Sequence, residues 1–123
     1  MSKVSIKILI YILSTAFLIA SVPHSVFAHK LSVFAWIDGD TVVVEGKLSG
    51  GKRPKRGMVY VYDGKERLLL KIEINPDGIA RFPLPDHKTG LKILMDVGEG
   101  HKSYWILTPY DIKCQLKEAT EKE

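Results

Sequence analysis

From residue 31 to residue 108 the chain alternates apolar and polar residues with a period of two, and clusters of Gly, Pro, Asp and Asn cut the alternation at short intervals. Successive side chains of an extended backbone point to opposite faces, so this pattern demands half-buried strands and excludes long amphipathic helices. Leu31, Val33, Ala35 and Ile37 fall on one face of a first strand, with Phe34 and Trp36 on the other. Asp38-Gly39-Asp40 is a hairpin signal, and Thr41 to about Leu48 forms the next strand. A loop from Ser49 to Gly57 carries Gly50-Gly51 and the basic run Lys52-Arg53-Pro54-Lys55-Arg56. Further strands follow at Met58–Tyr62, Leu68–Ile74, Ile79–Phe82, Leu91–Val97 and His101–Thr108. They are separated by Asp63-Gly64, Asn75-Pro76-Asp77-Gly78, the prolines 83 and 85, and Gly98-Glu99-Gly100.

Seven short strands without a strong helix predict an all-β fold, a seven-stranded β-sandwich over residues 29–108. The Cys-Trp-Cys pattern of true immunoglobulin domains is absent, so the expectation is Ig-like in architecture only, of the carboxypeptidase-regulatory or transthyretin-like kind. Residues 109–123 are polar and read as a weak helix or a frayed C-terminal tail.

Residues 1–28 read as a signal peptide. Lys3 and Lys7 form its positive region, Ile8 to Ala20 its apolar run, and Val26 and Ala28 occupy the small-residue positions before a cut. The alternative is an uncleaved anchor, but the apolar run is shorter than a spanning helix needs. Cleavage leaves residues 29–123 as one exported domain, periplasmic or on the extracytoplasmic face of the cytoplasmic membrane. The formal charge then drops from +4 to +2, because both signal lysines go and no acid does. So small a charge gives no reason to expect a nucleic-acid partner. Cys114 is the only cysteine, which excludes an internal disulfide. It reads as a bystander, with an intermolecular disulfide as the alternative.

The same cut makes His29 the first residue of the mature chain. A terminal histidine brings two ligands, its α-amine and an imidazole nitrogen, that close a six-membered chelate ring. Nitrogen donors of this kind suit Ni²⁺, Co²⁺ and Cu²⁺. The amine loses its proton readily near neutral pH. His101, after the Gly98-Glu99-Gly100 turn, is a second metal candidate, with Asp96 and Glu99 close in sequence. First and last strands of a sandwich often lie together, which would carry His101 towards the N-terminus. His87 is a weaker candidate in a loop, and His24 lies in the signal. The pair Asp38 and Asp40 is explained by turn chemistry. The 52–56 run is a solvated loop or a docking site for anionic lipid or an acidic partner. Trp36, Tyr60, Tyr62 and Trp105 alternate with aliphatics as core or interface residues do. No nucleophile elbow, His-Glu-x-x-His, phosphate loop or Cys-His pair is present, so the chain is not expected to be an enzyme.

The runs AHKLSVFAWIDGDTVVVEGKLSGGKRPKRGMVYVYD, NPDGIARFPLP and LKILMDVGEGHKSYWIL resemble the small extracytoplasmic accessory subunit of energy-coupling-factor nickel/cobalt transporters. The likeness spans about residues 28–108. It is most specific at the Ala-His junction, the Phe-Ala-Trp-Ile-x-Gly-Asp turn, Ser-Gly-Gly before the basic loop, and Gly-x-Gly-His. The resemblance implies an Ig-like domain that assists Ni²⁺ or Co²⁺ uptake by the membrane subunits of such a transporter. His29 matches the family's N-terminal histidine and His101 its Gly-x-Gly-His histidine. Some members continue into a transmembrane helix where this chain carries Glu118–Glu123, so a non-covalent association or a free soluble protein is expected here. Two alternatives stand beside this reading. One is a periplasmic copper carrier using the same nitrogens; the other is a metal-free module that binds proteins or glycans.

Overall fold

A computed structural model describes residues 3–20 and 30–122. The first part is a helix, α1 (Lys3–Ala20), whose residues 5–19 all expose their side chains. The anticipated cleavage junction, with Ala28 and His29, lies outside the described residues. Among the described residues no helix is long and apolar enough to cross a membrane.

The rest is built from seven strands: β1 (Leu31–Asp38), β2 (Thr41–Leu48), β3 (Met58–Asp63), β4 (Leu68–Glu73), β5 (Ile79–Pro83), β6 (Leu91–Asp96) and β7 (Lys102–Leu107). A helix, α2 (Pro109–Glu121), follows. The strands form two antiparallel sheets, β1-β2-β5 and β4-β3-β6-β7. Every strand stands where the alternation puts it, to within about a residue. One shift matters: His101 belongs to the turn before β7, not to the strand.

The inward faces fill the space between the sheets. β1 contributes Leu31, Val33, Ala35 and Ile37, and β2 contributes Val42 and Val44. Facing them are Val59 and Val61 of β3, and Leu91, Ile93 and Met95 of β6. Each of these side chains except that of Ala35 contributes roughly 1.5–3 kcal/mol by leaving water. Gly46 interrupts β2 because a Cβ there would strike the Met95 sulfur and the Pro54 ring. Met95 is fully buried and has nowhere to retreat. The core cluster draws only on residues between Leu31 and Leu116. A chain starting at residue 29 therefore carries all of it.

β1 and β7 are the neighbouring edges of the two sheets. They lie side by side without a hydrogen-bonded ladder. Both run in the same direction, so the chain joins β1 at the same end of the sandwich at which it enters β7. We call this end proximal and the opposite one distal.

Residues 109–121 are a helix, not a frayed tail, and the helix is part of the domain. Thr108 caps it: its hydroxyl accepts from Asp111 N–H (3.1 Å), and the Asp111 carboxylate accepts from Thr108 N–H (3.0 Å). Ile112 is completely buried in the core, and Leu116, one turn on, packs against it. Gln115 Oε1 accepts from Ile37 N–H (2.7 Å), which satisfies an edge donor of β1.

Candidate functional site

The proximal end gathers the residues singled out in the sequence. His101 closes the β6–β7 turn, in which Gly98, Glu99 and Gly100 take φ values of 87°, 53° and 79°. Three successive left-handed residues are tolerable only because two are glycine. The turn is fastened by His101 N–H to Gly98 C=O (2.9 Å) and Val97 N–H to His101 C=O (3.0 Å). Asp96 is already engaged: Oδ1 accepts from Gly98 N–H (2.9 Å), and Oδ2 lies 3.7 Å from Lys102 Nζ. Glu99 makes no ion pair among the described residues.

The half-buried His101 ring lines a shallow hollow with Leu48, Pro54, Lys55, Arg56 and Glu99. Leu48 is the cross-strand partner of Leu31. Lys30 is held at this rim, its N–H donating to Ser49 Oγ (2.8 Å) and its C=O accepting from Ser49 N–H (3.0 Å). Residue 29 is attached one peptide from Lys30, a Cα step of about 3.8 Å. His29 itself lies outside the described residues.

The other candidates do not join this end. His87 sits in the β5–β6 loop at the distal end, where its Nδ1 is 3.0 Å from the Pro85 carbonyl. Cys114 is a free thiol on α2; the neighbouring Tyr110 hydroxyl bonds to it, which raises the Tyr110 pKa. Among the described residues no group of three or more His, Cys, Asp or Glu side chains is placed to hold a metal.

The basic loop is a built element. Pro54 is buried against Gly46 and Gly78, pinning the loop between the β2 end and the β4–β5 turn. Arg53 reaches back to Glu45 (3.4 Å), which Lys47 also approaches (3.7 Å). Lys52, Lys55 and Arg56 are exposed and have no acidic partner among the described residues. The loops therefore differ in charge from end to end. The proximal connections, with Lys30, hold Lys52, Arg53, Lys55 and Arg56 against Asp77 and Glu99. The distal ones balance Lys65, Arg67 and Lys88 against Asp40, Glu66 and Asp86.

Two features were not placed by the sequence, which marks Trp36 and Trp105 only as core or interface residues. Phe34 stacks on Trp36 (centroids 5.4 Å) and meets Trp105 edge-on (4.8 Å), forming a half-exposed aromatic strip over the β1/β7 seam. Its signal was the unbroken run Tyr104-Trp105-Ile106, which abandons alternation on an edge strand. Asp63 is the other. It is the one buried charged residue among those described, and it accepts from the N–H groups of Lys65 and Arg67 (both 2.9 Å) and from Arg67 Nε (2.7 Å). The Arg67 backbone bond in particular, opposed by burial, holds its carboxyl below the ordinary value of 3.8. Asp63 thus shapes the β3–β4 turn as an acceptor whose ionised form the fold favours.

Comparison of the chain with protein-family models, with curated proteins and with solved structures finds no match.

Proposed function

We propose that this chain is an exported, non-enzymatic accessory domain for nickel or cobalt uptake, cut after Ala28. In this reading the His29 amine and ring hold the metal, with His101 adding a third nitrogen. The observation that carries it is the position of His101: its ring stands, without a hydrogen-bond partner among the described residues, at the end where residue 29 is attached. Seven strands reverse direction an even number of times, so β1 and β7 start at the same end, and sheet packing makes them neighbours. The ordering β1-β2-β5 against β4-β3-β6-β7 supports an Ig-like assignment, with β4 transferred to the second sheet relative to the constant-domain pattern. The partners proposed are the membrane subunits of an energy-coupling-factor transporter.

The test is titration calorimetry with Ni²⁺, Co²⁺ and Cu²⁺ on the chain starting at His29. Two further proteins run beside it: one with an added N-terminal alanine, and His101→Ala. One metal should bind per chain. The extra alanine should abolish binding, and His101→Ala should weaken it by about tenfold or more. Equal or absent binding in all three would sink the metal reading. A strong preference for copper would select the copper-carrier alternative, because the same nitrogens favour Cu²⁺ in raw affinity. The metal-free alternative, a protein- or glycan-binding module, draws support from the half-exposed Phe34, Trp36 and Trp105 strip.

A further inference from the structure

We infer that the proximal end of the sandwich is a docking surface for a bilayer containing anionic phospholipid, with Lys52, Lys55 and Arg56 as the residues that meet the headgroups. Three observations converge on this. These three cations are exposed and unpaired among the described residues, whereas the neighbouring Arg53 is tied to Glu45. They are displayed on a loop that the buried Pro54 fixes against the body of the domain, so little conformational freedom has to be lost on contact. The proximal connections carry five basic against two acidic residues, while the distal ones carry three of each.

The chain's own layout favours a membrane over an acidic protein. α1, whose apolar side chains are exposed, precedes Lys30 by the short segment 21–29. Fully extended, that segment bridges at most about 35 Å. Until the cut after Ala28 is made, whatever lipid surface α1 enters keeps the basic end of the domain nearest to it, so the released domain starts with that end at the bilayer. Each Lys or Arg close to an anionic surface strengthens binding roughly fivefold, and the attraction fades within a Debye length. The inference stands independently of metal binding.

The test uses the chain from residue 29, which contains the whole core and lacks α1. It is co-sedimented with vesicles of phosphatidylcholine, with or without about one third phosphatidylglycerol. Two variants lose equal charge: K52E/K55E/R56E at the proximal end, and K65E/K88E/K113E elsewhere, all at exposed positions. Circular dichroism checks that both fold. The parent should bind only the phosphatidylglycerol vesicles and release them in about 1 M salt. The proximal variant should bind at least about a hundredfold more weakly, and the other should fall far less. Equal binding to both vesicle types would overturn the inference, as would equal loss in both variants. Absence of binding to either would also overturn it, leaving the loop to face a protein.

Discussion

Asp63 illustrates how one carboxylate fixes a turn and carries a pH signature. Its folded pKa lies below the ordinary aspartate value of 3.8, so the ionised form is the one the native state prefers. The stability it confers is therefore complete above that value and is lost as pH falls through the folded pKa. Asp63→Asn is expected to destabilise the domain in urea at pH 7, and that penalty should shrink progressively as pH falls below 3.8. A penalty unchanged across that range would show that shape, not charge, holds the turn. His101 offers a second test at this scale. Lys55 and Arg56 line the same hollow and repel any cation placed there. Metal affinity measured by calorimetry should consequently rise with added salt, because screening weakens the repulsion. A fall with salt would place the metal away from this loop.

Among the elements, α2 contributes more than its polar sequence suggests. It buries only Ile112 and leans Leu116 on the core, a spacing of four that occupies one helical stripe. Ile112→Ala should cost about 2–5 kcal/mol, since it empties a fully enclosed site. Thermal unfolding would read this as a fall of several degrees per kcal/mol for a domain of this size. A change below about 1 kcal/mol would mean that the helix docks through Gln115 and its cap alone. The strands were legible because one face of each is buried and the period of two exposes that fact. The helix was legible only as an alternative, because two apolar residues give too faint a stripe. Its stronger mark, Thr108 with an acid three residues later, sits beside Pro109, which equally well ends a strand. β7 misled in the opposite sense: being an edge strand beside β1, it can expose Tyr104, Trp105 and Ile106 together, which alternation does not anticipate.

For the whole molecule, the candidate site follows from strand parity more than from any motif. An odd number of antiparallel strands returns the last to the starting end of the first, so a shared location for residue 30 and His101 was readable from the count. The lateral contact of β1 with β7 was not, because it depends on how the two sheets stack. The same count puts Lys52–Arg56 at the end of residue 30 and His87 at the opposite end; what it does not give is how near the basic loop comes to Lys30, which follows from the Leu31–Leu48 pairing.

The open seam bears on how the protein behaves when concentrated. Two sheets have four outer strands, and each exposed edge can recruit a strand from another molecule. Here β1 and β7 shelter one another, with Gln115 occupying a donor and the aromatic strip covering the join. β5 is short and ends in Pro83, which cannot extend a ladder. Only β4 is left, exposing Leu68 and Leu69 beside the charges of Lys71 and Glu73. Without closing into a barrel, the domain narrows the starting points of a would-be fibril to this one strand.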